Sequence, residues 1–169
     1  MKIAVDSCSL ILMAKASVLE HFAKSYELCL SEEVYKEVLA GKSKKIVDAF
    51  VVEKLAEEGR IKILKIKNRK MARKLSEDFS LGAGEAETLA LVLDNRCVIV
   101  CTDNKQGRKA ALIHNLSLVG SVDAVISLCK QKIISKEKAT LALKKLRQFG
   151  WFSDYLIENA MEDVNYGKD

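Results

Sequence analysis

The stretch CVIVCTDN, residues 97–104, joins an unbroken apolar run to a polar end that carries a carboxylate. An apolar run without alternation is typical of a central parallel strand that is covered on both faces. Asp103 follows this predicted strand, and Asp6 follows another predicted strand, Lys2 to Val5. The carboxyl ends of parallel strands share one edge of a sheet, where open α/β folds carry their functional sites. We therefore expect both aspartates to face one crevice.

The rest of the chain alternates between strand and helix patterns. Further strands are predicted at 27–30, at 61–66 (an exposed or edge strand) and at 117–119. Helices are predicted at 9–24, 31–41, 46–58, 69–78, 81–95, 105–114, 122–130, 135–150 and 153–162. Such alternation implies parallel strands with helices on both faces. We predict an α/β protein, a three-layer α/β/α sandwich around a central, mostly parallel sheet of four to five strands.

Length and composition favour one globular domain. The 169 residues are 49% hydrophobic and 30% charged, which is ordinary for a chain with a single core. We expect one domain over 1–169, in which 135–163 form a C-terminal helical extension. No apolar stretch approaches the roughly 18 residues of a membrane helix, and no signal-peptide pattern is present. We therefore expect a cytoplasmic protein that is not associated with a membrane.

Cysteine and histidine chemistry finds little support. The five cysteines are odd in number and lack CxxC spacing, which argues against a disulfide framework and a structural zinc. Neither histidine has a second ligand at metal spacing. We interpret the apolar-run cysteines as small core residues and expect no Ser-His or Cys-His nucleophile.

Carboxylates from four separate segments are predicted to reach the crevice. Besides Asp6 and Asp103, Glu37 lies on the helix after the second strand, and Glu85 and Glu87 begin the helix before CVIVC. Carboxylates that are brought together repel unless a cation neutralises them. Oxygen-only ligands favour Mg²⁺ or Mn²⁺, which can generate a hydroxide and stabilise an in-line phosphoryl displacement.

Each acid also has a purely structural interpretation. Asp6 and Asp103 can serve as helix caps, and Glu37 can be a surface acid that pairs with a lysine. Glu85 and Glu87 lie in a first turn, where the helix dipole favours acids. Because they are two residues apart on a helix they face different ways, so we expect only one of them to reach the site.

Several segments together resemble the successive motifs of PIN-domain ribonucleases, in particular the prokaryotic group related to VapC toxins. The similar segments are VDSCSLILMAKASVLEHF, SEEVYKEV, GAGEAETLALVL and VCTDNKQGRKAA, and the resemblance spans residues 2 to about 162. It implies a PIN-like α/β/α fold in which clustered acids bind one or two Mg²⁺ or Mn²⁺ ions and the protein cleaves RNA.

The resemblance also assigns individual residues. It implies that four acids are catalytic and bind metal: Asp6, Glu37, Glu85 and Asp103. Glu87 is a further metal-ligand candidate. Asn104 is another, because it stands where many relatives carry an acid. Ser7 and Thr102 resemble the hydroxyl residues that flank these acids. The loss of one charge at Asn104 leaves the number of ions, one or two, open.

Basic residues suggest how RNA is held. We expect Lys105 and Arg108, just past Asp103, to contact substrate phosphates. Residues 62–74 carry seven basic residues and no acid, and they either extend an electrostatic groove or form an edge strand kept soluble by lysine. The formal net charge of +5 fits both interpretations. Aromatic residues are only 6% of the chain and none lies in this run, so base stacking has no support from the sequence.

The C-terminal segment, residues 139–164, has apolar residues at helical spacing together with Trp151 and Phe152. It either covers the core or forms a dimer or antitoxin surface. The resemblance implies a homodimer that a small antitoxin protein holds inactive.

The sequence therefore predicts a metal-dependent endoribonuclease that hydrolyses RNA phosphodiester bonds and acts as the toxin-like component of a toxin–antitoxin pair. The alternative is a non-catalytic PIN-like module that binds RNA or protein. A phosphatase with Asp6 as nucleophile has weaker support, because Cys8 stands where such enzymes usually carry a second acid.

Overall fold

A parallel sheet of five strands forms the centre of the molecule in the computed structural model, which describes residues 1–40 and 47–167. The strands are β1 (Lys2–Val5), β2 (Glu27–Ser31), β3 (Ile61–Leu64), β4 (Ile99–Cys101) and β5 (Ser117–Val119). Their order is β3-β2-β1-β4-β5, and every neighbouring pair is parallel. The predicted α/β class and parallel central sheet are confirmed, and β3 is an edge strand as expected.

Helices connect the strands and cover both faces of the sheet. They are α1 (Ser7–Lys15), α2 (Leu19–Ser25), α3 (Glu32–Ala40), α4 (Val47–Glu57), α5 (Arg69–Phe79), α6 (Ala83–Leu93), α7 (Lys105–Ile113), α8 (Ser121–Lys130), α9 (Lys136–Phe149) and α10 (Asp154–Tyr166). Two predicted helix boundaries, Gly41 and Ile46, lie outside the described residues. The last helix continues four residues beyond its predicted end at Glu162.

The prediction of one continuous helix over 9–24 is wrong. Ser17 adopts a left-handed φ of 60°, and its N–H donates to the Ala14 carbonyl oxygen at 2.9 Å. The N–H of Val18 donates to the Met13 carbonyl oxygen at 3.0 Å, which completes a Schellman end for α1. Helical periodicity continues across this break, so the apolar pattern alone did not reveal it.

The strand predicted at 97–101 is shorter than expected. Cys97 turns back so that its N–H donates to the Leu91 carbonyl oxygen at 3.1 Å, and Val98 is exposed. The strand begins only at Ile99. The predicted strand was too long because Cys97 and Val98 are apolar, although they belong to the turn before β4.

Alternate residues of the strands divide the core into two clusters, one on each face of the sheet. Ile3, Val5 and Leu28 pack with α1, α8 and α9, whereas Ala4 and Val100 pack with α5, α6 and α7 on the other face. These two clusters are the interfaces of the predicted three-layer sandwich. The five cysteines are free, and Cys29, Cys97 and Cys101 are buried among apolar residues.

The two C-terminal helices contribute to the first of these clusters. Leu143 and Leu146 of α9 and Ile157 of α10 are buried together with β1 residues. Covering the core is therefore one role of this segment. Across residues 1–40 and 47–167, no helix combines the length and the apolar character that crossing a membrane requires.

Candidate active site

Two neighbouring strand ends place Asp6 beside Thr102. Val5 pairs with Cys101 across the parallel strands β1 and β4, and the N–H of Asp6 donates to the Cys101 carbonyl oxygen at 3.1 Å. The Asp6 side chain is only 1% exposed. Its Oδ1 accepts the backbone N–H of Ser9 at 2.7 Å, and its Oδ2 accepts the Thr102 hydroxyl. The capping role considered for Asp6 is thus present, and a second donor holds its other oxygen.

Asp103 lies directly beyond Thr102 and is tied to two other elements. Its backbone N–H donates to the Ser9 hydroxyl oxygen at 2.8 Å. Its carboxylate accepts the N–H of Ser121, the first residue of α8, at 3.0 and 3.1 Å. A Cβ at Gly120 would lie 2.5 Å from Asp103 Oδ1, so this approach depends on glycine. Asp103 does not cap the helix that follows it.

Both aspartates have raised pKa values. Burial raises the pKa of Asp6 from 3.8 to about 6, and the charge of Asp103 adds to this rise. Burial also raises the pKa of Asp103, whereas the Ser121 hydrogen bonds and the Arg108 charge oppose the rise. A nearby cation would favour the charged form of each carboxyl group. Perturbed carboxylates at a sheet edge are a mark of functional sites.

Two glutamates, one on α3 and one on α6, accept backbone N–H groups at the start of α6. Oε1 of Glu37, on α3, accepts the N–H of Gly84 at 3.1 Å. Glu85 turns back and accepts the N–H of Gly82 at 2.9 Å, which forms a capping box. The charges of Glu85, Asp6 and Asp103 all contribute, after burial, to raising the pKa of the Cys8 thiol to about 11. The Glu85 charge therefore acts on the same Cys8 thiol as the charges of the two aspartates.

Glu87 points elsewhere. Its Oε2 accepts the N–H of Glu33, at the start of α3, at 3.3 Å. It lines a groove of about 490 Å³ together with Arg69, Arg73 and Glu77. The expectation that Glu85 and Glu87 face different ways therefore agrees with the structure. Both basic and acidic residues line this groove, so the basic run at 62–74 does not form a purely positive surface here.

The remaining predicted site residues have varied surroundings. Asn104 caps α7, because its Oδ1 accepts the N–H groups of Gln106 and Gly107 at 2.8 and 2.9 Å. Arg108 Nη1 donates to the Thr102 carbonyl oxygen at 3.1 Å. Lys105 is exposed at the start of α7, and Ser7 is half-buried at the start of α1.

The structure adds residues that were not predicted for the site. Ser9 contacts both aspartates, and Ser121 donates to Asp103. The sequence signal for Ser121 is the Gly120-Ser121 pair that directly follows β5. A strand-ending glycine and a helix-starting serine at the functional edge of the sheet are a recognisable N-terminal helix signature.

The donor set fits a hard divalent cation, although the acids are engaged with backbone donors. Over the described ranges, 1–40 and 47–167, no three Asp, Glu, His or Cys side chains are gathered closely enough to hold one ion. Glu37 and Glu85 contact N–H groups of the α6 start instead. The four acids are nevertheless all oxygen donors, and the raised pKa values of Asp6 and Asp103 show that their charged forms would gain from a nearby positive charge.

Comparison with known proteins gives one match. A family model described as a PIN domain matches residues 2–166, which is nearly the whole chain. No curated protein and no solved structure matches it.

Proposed function

We propose that this chain, which belongs to the PIN-domain family with its nuclease-type fold, is a metal-dependent endoribonuclease that hydrolyses RNA phosphodiester bonds. The observation that carries the proposal is that the buried Asp6 and the half-buried Asp103 lie at adjacent strand ends and are connected through Ser9. Asp6, Glu37, Glu85 and Asp103 would hold Mg²⁺ or Mn²⁺, as one ion or two. A bound ion supplies a hydroxide nucleophile and stabilises negative charge on the phosphoryl oxygens.

The protein's own contribution is to hold the carboxylates in place. Thr102 and the Ser9 N–H fix the two oxygens of Asp6, and the Ser121 N–H fixes Asp103. Asp6 and Asp103 lie at the N-termini of α1 and α8, where the helix dipoles favour negative charge. These hydrogen bonds keep the two aspartates oriented.

Arg108 and Lys105 are proposed to position the RNA. Arg108 lies beside Asp103 and is anchored through the Thr102 carbonyl oxygen, while Lys105 is exposed on the rim. A guanidinium that is fixed close to the acids supplies positive charge for a phosphate on the substrate side. Ser7 and Thr102 flank Asp6 and Asp103 and would assist as hydroxyl groups.

The biological role proposed here is that of a cytoplasmic, VapC-like toxin component, which acts as a homodimer and is inhibited by a small antitoxin protein. The support is the similarity of the motifs around the four acids to that group. A short open reading frame for a small protein beside this gene, whose product binds the chain and blocks cleavage, is the expected finding.

Asn104 motivates a second function, a non-catalytic PIN-like module that binds RNA or protein. Its side-chain oxygen accepts two backbone N–H groups at the start of α7, and the neutral amide brings no charge to the site. A site with fewer charges binds a divalent ion less tightly. In this alternative the fold and the basic residues are retained, but the protein does not hydrolyse RNA.

One comparison separates the two functions. Wild type, Asp6→Asn and the matched control Glu162→Gln, an exposed acid on α10, are incubated with unstructured RNA and Mn²⁺. We expect cleavage by wild type and by Glu162→Gln, and loss of cleavage in Asp6→Asn with RNA binding retained. If all three bind RNA equally and leave it intact, the nuclease proposal fails and the binding module is favoured.

A further inference from the structure

A cavity of about 550 Å³ opens directly beside the acidic pair. It lies between α1, the start of α7 and the turn from α9 to α10. Asp103 and Lys105 form one wall, Ile11 and Lys15 another, and Phe149 and Trp151 the third. Its volume is in the usual range of small-molecule sites, which is about 300–1,000 Å³. The cavity therefore continues the proposed active site towards an aromatic surface.

The turn between α9 and α10 holds Trp151 outward. A Cβ at Gly150 would lie 2.3 Å from the Phe152 ring, so glycine allows that ring to pack tightly against the turn. Phe152 is packed against the core, and Ser153 caps α10 by accepting the Leu156 N–H at 3.2 Å. Between these anchors the Trp151 side chain is fully exposed. The turn thus fixes the backbone on both sides of Trp151 and leaves its ring accessible.

Two lysines, Lys15 and Lys105, line the cavity together with the aromatic wall. Lys15 Nζ lies 5.1 Å from the centre of the Phe149 ring, and Lys105 stands on the opposite rim next to Asn104. An apolar face with two flanking lysines suits a ligand that is flat and apolar in one part and anionic in another. Nucleotides in single strands have this character, and proteins bind them by stacking bases on aromatic rings beside basic groups.

We propose that this cavity binds the base of a nucleotide next to the scissile phosphate of single-stranded RNA, with Trp151 as the stacking platform and Lys15 and Lys105 contacting the backbone. The inference rests on the proposed nuclease function, because Asp103 belongs to both the acid pair and the cavity wall. A phosphate held at the acids would place the neighbouring base at this wall. A protein partner is the other class that such a surface suits, and it is an outcome of the test below.

The chain has a single tryptophan, so its fluorescence reports on this cavity alone. Full-length wild type in excess EDTA and low salt is titrated with an oligoadenylate of about eight nucleotides. We expect quenching of the Trp151 emission. An abasic oligonucleotide of the same length has the same phosphates and no bases, and we expect it to leave the emission nearly unchanged.

Variants test the contribution of the ring to affinity. Binding of labelled oligoadenylate is followed by fluorescence anisotropy for Trp151→Ala, Trp151→Phe and the control Tyr155→Ala, which removes an exposed ring outside the cavity. We expect Trp151→Ala to bind about 5- to 150-fold more weakly, the range that base stacking accounts for. Trp151→Phe and Tyr155→Ala are expected to stay close to wild type. Because Trp151 is fully exposed, melting temperatures should not differ.

The outcomes separate this inference from the proposed function. RNA that binds without quenching, with equal affinity for wild type and Trp151→Ala, overturns the base site even if wild type cleaves RNA in Mn²⁺. Quenching without any cleavage leaves the base site supported and the nuclease proposal refuted. Absence of RNA binding to wild type overturns the inference. If Trp151→Ala changes the mass measured by sedimentation but not the binding of RNA, Trp151 belongs to a protein interface. This result also overturns the base site.

Discussion

The Ser9 hydroxyl oxygen accepts the backbone N–H of Asp103 at 2.8 Å, although the two residues are 94 positions apart in the chain. The backbone N–H of Ser9 donates at the same time to Asp6. One serine therefore connects the ends of β1 and β4 and sets the spacing between the two aspartates. Its role in positioning the two aspartates can be tested.

Ser9→Ala removes the acceptor of the Asp103 N–H and leaves the Asp6 cap in place, because that cap uses the Ser9 backbone. We expect a loss of about 1–3 kcal/mol in the free energy of unfolding, as for a buried donor left without a partner. Urea denaturation in metal-free buffer measures it, with Ser117→Ala in β5 as an exposed control. A variant as stable as the control would show that the Ser9 bond contributes nothing.

Asp6 is expected to make the metal-free protein less stable as the pH rises. Its native pKa of about 6 lies above the ordinary 3.8, so between these values the native state binds more protons than the unfolded state. The free energy of unfolding should fall by roughly 3 kcal/mol between about pH 4 and pH 7 through this group. The measurement is urea denaturation of wild type and Asp6→Asn across that range. Parallel pH curves for the two proteins would contradict the burial argument.

Binding of Mn²⁺ is expected to stabilise the fold. An ion that binds only the native state adds about 2.7 kcal/mol at 100 times its dissociation constant, which corresponds to roughly 5–10 °C in Tm for a chain of this size. Wild type should show this shift at millimolar Mn²⁺ and pH 7.5, and Asp103→Asn should show much less. A wild-type Tm that does not respond to Mn²⁺ counts against a metal site.

Glu85 and Glu87 are predicted to differ in function although they are two residues apart. Glu85 accepts the N–H of Gly82 at the start of its own helix, whereas Glu87 accepts the N–H of Glu33 at the start of α3. Glu85→Gln should lower the apparent Mn²⁺ affinity by about 10- to 100-fold, a typical loss at metal sites. Glu87→Gln is its matched control and should remain near wild type in the Mn²⁺ dependence of cleavage. The reverse order of effects would reassign the site to Glu87.

Gly84 is predicted to matter for activity more than for stability. A Cβ there would lie 2.6 Å from Oε2 of Glu37, so alanine displaces the end of a flexible side chain. Alanine in a helix gains up to about 1 kcal/mol over glycine, so Gly84→Ala should unfold at the same or a higher urea concentration. Displacement of Glu37 by about 1 Å should reduce cleavage by around 100-fold. Cleavage at the wild-type rate would show that Glu37 does not act in the reaction.

Periodicity predicted most of the fold because apolar spacing reflects burial directly. Val100 and Cys101 of β4 are buried on opposite faces of the sheet, and the β1 residues alternate between the two core clusters. The same signal failed at Ser17, where a left-handed backbone ends α1 without interrupting the apolar spacing. It also failed at Cys97 and Val98, which are apolar residues of a turn. Hydrophobic patterns report burial and not backbone conformation.

The sequence by itself determined that Asp6 and Asp103 lie at the same edge of the sheet. Parallel strands bring their carboxyl ends to one edge whatever the details of packing. Only the tertiary structure decided that Glu37 contacts the start of α6, that Asn104 caps α7, and that Ser9 connects the two aspartates. It also decided that Trp151 lies beside Asp103. These contacts join residues from separate elements, so they depend on the angles and distances at which helices pack, and local spacing in the chain does not encode those.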